Sequence, residues 1–346
     1  MLNNIRISKF SARFLTPIFF YLLLFASCRS SSKHDVDVSD EHVSLSIHRF
    51  EQDLFNAPVA NMNTLKKLRT SYGRFVDLYC ARMIGLPHEN DSVLAFNINQ
   101  YTHDRYIREV YAESQKKFSD ISFLRQNLEE VFKHYKYYFP KKVIPSVITY
   151  IAPFNYNVMA TDSMLGIGLD MYLGSGYKYY SSLELPQYMI RKFRKEYMVN
   201  DCIKGWFRSE WDMPSNANDL LSNMIYGGKE LYFTEAMAPG MPDTIRIGYT
   251  SDQLKWANDN EKNIWTFFLE NKLLYNKTPG TFMKYINDGN STNGFPKEAP
   301  AKLGVFIGWK IVNAFMDANK NVTLEQLMQM NDAQQLLTDS NYKPSK

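Results

Sequence analysis

The chain has 346 residues, of which 45% are hydrophobic, 15% aromatic and 22% charged, and this composition excludes a disordered, collagen-like or disulfide-scaffold protein. The formal net charge is +4, and the chain without residues 1–27 retains 37 basic and 36 acidic residues. Since nucleic-acid binders need clustered Lys and Arg for phosphate contacts, we expect no nucleic-acid partner.

The N-terminus is typical of a secretory signal. Three basic residues (Arg6, Lys9 and Arg13) precede a mostly apolar stretch at 14–25. This stretch is shorter than the roughly 20 residues that a membrane-spanning helix needs. Residues 26–28, Ala-Ser-Cys, resemble a bacterial lipobox, although Phe25 stands where an aliphatic residue is usual. We predict a lipoprotein signal peptide at 1–27 and lipidation of Cys28; a plain secretory signal and a retained amphipathic anchor are the alternatives.

Residues 28–42 are Ser-rich and charged and show no apolar periodicity, which predicts a lipidated flexible tether. Arg29 to Glu41 would reach about 45 Å if fully extended. Arg29 stands where bacterial sorting rules place Asp for retention in the inner membrane, and no acidic export run follows it. By resemblance to those rules, we expect a lipid anchor in the outer membrane that faces the periplasm.

Residues 43–346 contain no long linker and no internal repeat, which predicts a single globular domain. Val43, Leu45 and Ile47 alternate with polar residues and indicate an opening strand. Apolar residues three and four apart predict a helix at Asn63–Cys80 and a second from near Ser119 to Pro140.

Short runs at 143–151, 158–159 and 165–169 predict a small β-sheet, because the first is rich in β-branched residues and the other two lie close to it. After Pro186 the apolar spacing is mainly helical, with Pro- and Gly-bearing loops at Pro239–Asp243 and Asn287–Ala301. The helices predicted there are Pro186–Asn200, Asn216–Ala236, Asp252–Tyr275, Leu303–Ala318 and Thr323–Met330, the last with a capping box from Thr323 to Gln326. The predicted fold class is therefore α+β, a predominantly helical single domain with a small sheet.

The standard motifs of enzymes are absent from the sequence. No two of the six histidines are four residues apart, which excludes a zincin His-Glu-x-x-His pair, and there is no Cys-x-x-Cys pair, phosphate-binding Gly loop or Gly-x-Ser-x-Gly elbow. We therefore expect no enzyme activity, no cofactor and no metal site. Cys80 and Cys202 remain as a disulfide or, the interpretation we favour, as two buried free thiols.

Asp170 is the single acidic residue in the apolar run Leu165–Leu173. A buried carboxylate there needs hydrogen-bond donors or a cation, so we favour a structural role over a catalytic or metal-binding one. Gly304 and Gly308, spaced Gly-x-x-x-Gly, predict close packing of a buried helix. The aromatic clusters at 135–139 and 177–180 predict core packing, with a ligand-binding surface as the alternative.

A series of blocks in fixed order resembles the gliding motility lipoprotein GldB family. The blocks are Leu169–Gly174, Tyr179-Tyr180, Pro186–Tyr188, Gly228–Phe233, Ile247–Thr250, Trp256 with Glu261 and Trp265, Gly304–Trp309, Ile311-Val312 and Ser340–Pro344. The resemblance implies an envelope lipoprotein without established enzymatic activity. It also implies partners in the gliding motility machinery and, indirectly, in a dedicated outer-membrane secretion and adhesin system. Lys302 and Lys310 stand where the motility-linked members are expected to have Arg and Gln.

A further hypothesis is a degenerate zincin-like peptidase fold. The predicted helix with Ser222, Asn223 and Tyr226 occupies the place of a zincin's metal-binding helix, and these three residues would replace the two ligands and the base. With Asp170 and Glu235, they form the candidate polar site of the chain.

Three functions follow from the sequence. The first is a tethered, noncatalytic assembly factor, whose sign would be an exposed apolar patch with a polar rim. The second is a periplasmic hydrolase with an unrecognised carboxylate site at Asp170 or Glu235, whose sign would be a deep pocket with convergent carboxylates. The third is a solute-binding lipoprotein, whose sign would be an apolar cavity lined by Tyr179 and Tyr180.

Overall fold

The computed structural model describes residue 34 and residues 36–57, 60–87 and 89–345. The predicted signal peptide and Cys28 lie outside the described residues.

A four-stranded mixed sheet forms the centre of the described chain, in the order β1-β2-β4-β3. Its strands are β1 (Ile47–Arg49), β2 (Ser146–Tyr150), β3 (Val158–Ala160) and β4 (Met164–Gly168). β1 and β4 pair with β2 in parallel, and β3 pairs with β4 in antiparallel register. The predicted α+β class and small sheet are confirmed. Val43 and Leu45 are more buried than the polar residues beside them, as predicted, but strand pairing begins only at Ile47.

The two faces of the sheet bury different hydrophobic clusters. Ile148 and Tyr150 of β2 enter a cluster formed mainly with helices from residues 50–107, whereas Val147 enters the larger cluster formed with the helix at 122–138 and the C-terminal helices. Since neighbouring residues of a strand point to opposite faces, the sheet separates the two clusters. The domain is therefore layered, with helices on both sides of the sheet.

The N-terminal part of the described chain is helical outside β1. Its helices are α1 (Phe50–Phe55), α2 (Met62–Tyr72), α3 (Phe75–Leu78), α4 (Asp91–His103), α5 (Arg105–Lys117) and α6 (Ser122–Tyr138). The helix predicted at Asn63–Cys80 is interrupted because Gly73 adopts φ +54°. The chain resumes as α3 and a π-helical turn at Tyr79–Met83.

The C-terminal part contains most of the helices that close the second face. They are α7 (Gln187–Ile190), α8 (Met198–Glu210), α9 (Leu220–Met237), α10 (Asp243–Ile247), α11 (Ser251–Asp259), α12 (Glu261–Glu270), α13 (Pro279–Phe282), α14 (Leu303–Ala318), α15 (Leu324–Gln329) and α16 (Ala333–Ser340). The predicted capping box from Thr323 to Gln326 is confirmed at the start of α15. The loop at Asn287–Ala301 has neither helix nor strand, as predicted.

Two predicted helices are each divided in the structure. The helix predicted at Pro186–Asn200 is interrupted between the end of α7 at Ile190 and the start of α8 at Met198, and Arg194 in this interval is extended and forms an isolated bridge with Leu173. Asp252–Tyr275 is broken at Asn260, whose φ of −113° and ψ of 14° separate α11 from α12. The first break covers residues 191–197, whereas at the second a single residue separates two helices.

Helices α9 and α14 approach at backbone distance. A Cβ atom on Gly308 would lie 1.8 Å from the Met224 carbonyl oxygen, and one on Gly228 would lie 2.3 Å from the Gly308 oxygen. Only glycine allows this approach, so the predicted close packing of the Gly304-x-x-x-Gly308 helix is confirmed. Among the described residues, no helix is long and apolar enough to span a membrane.

Candidate functional site

Asp170 lies in a 3-10 turn directly after β4 and is completely buried. Its carboxylate accepts hydrogen bonds from the backbone N–H groups of Ala152 (3.2 Å) and Phe154 (2.7 Å). Burial raises the pKa of Asp170 to about 6, although both hydrogen bonds favour the ionised form. Phe154 has φ +57°, a conformation that non-glycine residues rarely adopt, so Asp170 holds a strained turn in place.

The other candidate polar residues lie along α9, and each is held by its own contacts. The backbone N–H of Ser222 donates to the Asp219 carboxylate that caps the helix. Asn223 donates to the backbone oxygens of Ala217 and Asp219. These contacts fix the start of α9.

Tyr226 and Glu235 have other partners. The Tyr226 hydroxyl donates to the Trp211 oxygen at 3.0 Å, and Glu235 accepts from the Trp309 indole at 3.2 Å. Glu235 lies nine residues after Tyr226, which is about 14 Å along the helix axis. The structure therefore brings Ser222, Asn223 and Tyr226 together at one end of α9 and places Glu235 well away from them.

Cations gather around the end of α10. Lys302 Nζ donates to the Ile247 oxygen (2.8 Å), Lys204 Nζ to the Arg246 oxygen (2.5 Å) and Arg191 to the Gly248 oxygen (2.6 Å). Burial, and then the neighbouring Lys192, lower the pKa of Lys302 to about 7. The last carbonyl groups of a helix attract cations, so this cluster stabilises the C-terminus of α10.

The aromatic cluster at 177–180 packs into the core at Tyr180. The Tyr180 hydroxyl donates to the backbone carbonyl oxygen of Asp170 and accepts from the backbone N–H of Leu173. The Tyr180 ring lies 5.0 Å from the ring of Phe193, measured between centroids. Tyr179 is half-buried and donates to Glu109, which is also half-buried. Tyr180 therefore serves the core, as predicted.

The outer face of α6 forms one wall of a long groove. Phe123, Asn127, Glu130 and His134 line this groove at steps of three and four residues, so they share one face of the helix. The opposite face is buried in the larger hydrophobic cluster. Helix α6 therefore packs on the core through one face, and its other face lines the groove.

The other wall of the groove is formed by Lys195–Val199 and by the segment from Met237 to Ile245. The partly exposed apolar side chains of this wall include Val199, Met241 and Ile245, and the exposed Lys195 and Glu196 lie on the same wall. The groove has a volume of about 710 Å³. We call it the α6 groove; it has an apolar lining with charged residues of both signs.

Two further depressions adjoin the α6 groove. One, of about 580 Å³, shares Phe123, Lys195 and Glu196 with it. The other, of about 470 Å³, shares Glu130 and is lined on its far side by residues 36–39 of the N-terminal segment. The α6 groove and the two depressions together extend along α6 from its first turn to its fourth.

Sequence reasoning did not identify the α6 groove, because its lining comes from three distant parts of the chain. One signal was present in the sequence: Phe123 is an apolar residue on the face of α6 that also carries Asn127 and Glu130. A second was the segment Ala238-Pro-Gly-Met-Pro242, whose prolines prevent a continuation of α9.

Cys80 and Cys202 are both buried free thiols, as the favoured interpretation expected. Burial raises the pKa of Cys80 to about 12 and also raises the pKa of Cys202. Such thiols remain protonated and unreactive at neutral pH. Within the described chain, no group of three or more His, Cys, Asp or Glu residues is arranged to hold a metal ion.

The chain is similar to a known protein family. A family model described as gliding motility protein GldB matches residues 31–344. No curated protein and no solved structure matches the chain.

Proposed function

Since the chain belongs to the family of the gliding motility protein GldB, we propose that it is a lipid-anchored envelope protein that acts without catalysis, as an assembly or accessory factor of gliding motility and outer-membrane secretion machinery. In this proposal Cys28 carries the lipid, and the domain faces the periplasm from the outer membrane. The partner is an envelope protein, which the domain binds in the α6 groove.

The α6 groove is the observation that carries the proposal. It combines a partly exposed apolar lining with a charged rim, which is the arrangement of a protein-binding surface. Its position also fits an anchored protein, because the N-terminal segment that would lead to the lipid lines the adjoining depression. A partner segment lying in the groove would cover Phe123, Val199 and Ile245 from water.

The noncatalytic part of the proposal is supported by the positions of the polar candidates. Asp170 is completely buried and holds a backbone turn, and Glu235 bonds to an indole about 14 Å along α9 from Tyr226. A carboxylate that is completely buried does not reach a substrate.

The test is site-specific photo-crosslinking in the native membrane. A photoreactive side chain at Asn127 lies in the α6 groove, and one at Asn263, which is exposed on α12, serves as the matched control. We expect position 127 to give an adduct with a component of the motility or secretion machinery, and position 263 to give none. Equal adducts at both positions, or none at 127, would contradict binding in the groove.

The anchor is tested in the same membranes with Cys28→Ser. This change removes the acylated thiol and leaves the domain unchanged. We expect loss of palmitate labelling, release from the outer membrane and loss of the adduct at position 127. A Cys28→Ser protein that stays in the outer membrane would refute the lipid anchor.

A further inference from the structure

The N-terminal segment is attached to the domain well before residue 43. His34 is 5% exposed, and its ring lies edge-on to Tyr232 of α9 at 4.6 Å between centroids. Val38 is 7% exposed, and Glu41 pairs with Lys136 of α6 at 3.2 Å. The described part of the predicted tether is therefore packed on α6 and α9.

This attachment shortens the distance that the chain can span. Six residue steps separate Cys28 from His34, and at most about 3.6 Å per residue gives a reach of about 20 Å. The segment from Arg29 to Glu41 would reach about 45 Å if it were wholly extended. Packing of the segment from His34 onward therefore removes more than half of the distance that the extended segment could span between Cys28 and the domain.

The attached segment also lies beside the α6 groove. Residues 36–39 face Glu130 and Lys133 across a depression of about 470 Å³, and Glu130 also lines the α6 groove. One end of the α6 groove thus lies beside residues 36–39. These residues follow closely after His34, the residue to which the reach from Cys28 was measured.

We propose that the docked segment keeps the α6 groove within a short distance of the bilayer, so that its partner is the periplasm-facing segment of a membrane-embedded protein. This inference rests on the proposed function, since it requires the lipid at Cys28. A partner embedded in the same membrane is confined to the layer that the groove can reach, and this confinement raises its effective concentration. The partner segment presents apolar side chains to the lining of Phe123, Val199 and Ile245.

The test lengthens the tether without changing the domain. A flexible Gly/Ser insertion of twenty residues between Ser31 and Ser32 is combined with the photoreactive side chain at position 127. Since the effective concentration of a partner in the same membrane varies inversely with the thickness of the layer that the groove can reach, and this thickness grows with the length of the tether, we expect adduct yield to fall about twofold to fourfold. Equal palmitate labelling of both forms shows that the anchor is retained.

Two further variants sharpen the test. His34→Ala with Val38→Ser weakens the docking with the chain length unchanged, and we expect a smaller fall in adduct yield. The same twenty-residue insertion between Asn290 and Ser291, in the loop at 287–301, is the matched control and should leave the yield unchanged.

The outcomes separate the two proposals. If the chain without insertion gives no adduct at position 127, the proposed function itself fails. If it gives an adduct and the lengthened tether gives the same yield, the requirement for a short distance to the bilayer is refuted while the proposed function stands. An adduct partner that carbonate extraction releases from the membrane would also refute a membrane-embedded partner.

Discussion

The buried carboxylate of Asp170 makes the unfolding free energy depend on pH. Its pKa is raised to about 6 in the folded state, so between about pH 4 and 6 the folded chain binds more protons than the unfolded chain. Stability from this group is therefore fully present below pH 4 and is lost as the pH rises through 6. Asp170→Asn removes this titration and leaves one backbone N–H facing an amide NH₂ group.

We expect wild type to gain up to about 3 kcal/mol of unfolding free energy relative to Asp170→Asn as the pH falls from 7 to 4, measured by urea denaturation. Asp120→Asn is the matched control. Hydrogen bonds from Ser122 lower the pKa of the exposed Asp120, so its contribution is lost as the pH falls and its profile should change in the opposite direction. Parallel profiles for wild type and Asp170→Asn would contradict the buried titration.

Sequence could predict the role of Asp170 but not its partners. A lone carboxylate in an apolar run has to find donors, and this requirement is visible in the sequence. The donors Ala152 and Phe154 come from the loop after β2, which strand pairing brings next to β4. Because these donors are backbone N–H groups, which almost every residue has, they cannot be identified from residue types.

At the scale of elements, the contact between α9 and α14 depends on the absence of a side chain. Gly308→Ala would place a methyl group 1.8 Å from the Met224 oxygen, and the two backbones would have to separate. We expect a loss of about 3 kcal/mol or more in unfolding free energy, measured by denaturant titration. A loss below 1 kcal/mol would show that the helices are not in backbone contact.

Gly280→Ala is the control for this change. Gly280 is exposed near the start of α13, and a Cβ atom there meets nothing within 4 Å. We expect its unfolding free energy to stay within about 0.5 kcal/mol of wild type.

Helices α6 and α14 were predicted from their apolar stripes, whereas α5 and most of α8 were missed although their buried residues also recur at helical spacing. Helix α4 was missed because it buries only Leu94, Ala95, Ile98 and Thr102, too few apolar residues for a clear stripe. Its start was marked by Asn90, which caps the helix by accepting from the Val93 N–H. The break at Gly73 was not predictable from spacing, since the apolar positions continue across it.

At the scale of the whole molecule, the C-terminus is fastened to α12. Glu261 is 4% exposed and accepts from the Tyr342 hydroxyl (2.9 Å) and the Ser345 hydroxyl (2.9 Å), with Lys310 Nζ at 3.5 Å. The Tyr342 ring also packs edge-on against Trp265. Two separate blocks of the family resemblance, at 261–265 and 340–344, are thus in contact.

Truncation after Asn341 should loosen this fastening. It leaves Glu261 buried with Lys310 as its remaining ionic partner, and we expect a loss of about 2 kcal/mol and faster hydrogen exchange in α12 and α16. Removal of Lys346 alone is the control and should change neither. Unchanged exchange in α12 after the longer truncation would show that the tail does not stabilise that helix.

The α6 groove could not be predicted as a whole, because a surface made by α6, Lys195–Val199 and Met237–Ile245 exists only after the chain has folded. The family blocks, by contrast, were readable from the sequence, and the match over residues 31–344 confirms that resemblance.

The placement of His34 on Tyr232 has a mechanical consequence. Tyr232 and Met237 belong to the same helix, and they are five residues, or about 8 Å, apart along its axis. Tension between a lipid at the N-terminus and a chain held at the Met237 end of the groove would pass through about one and a half turns of α9. Helices α1 to α5 lie outside that path and would carry little of the load.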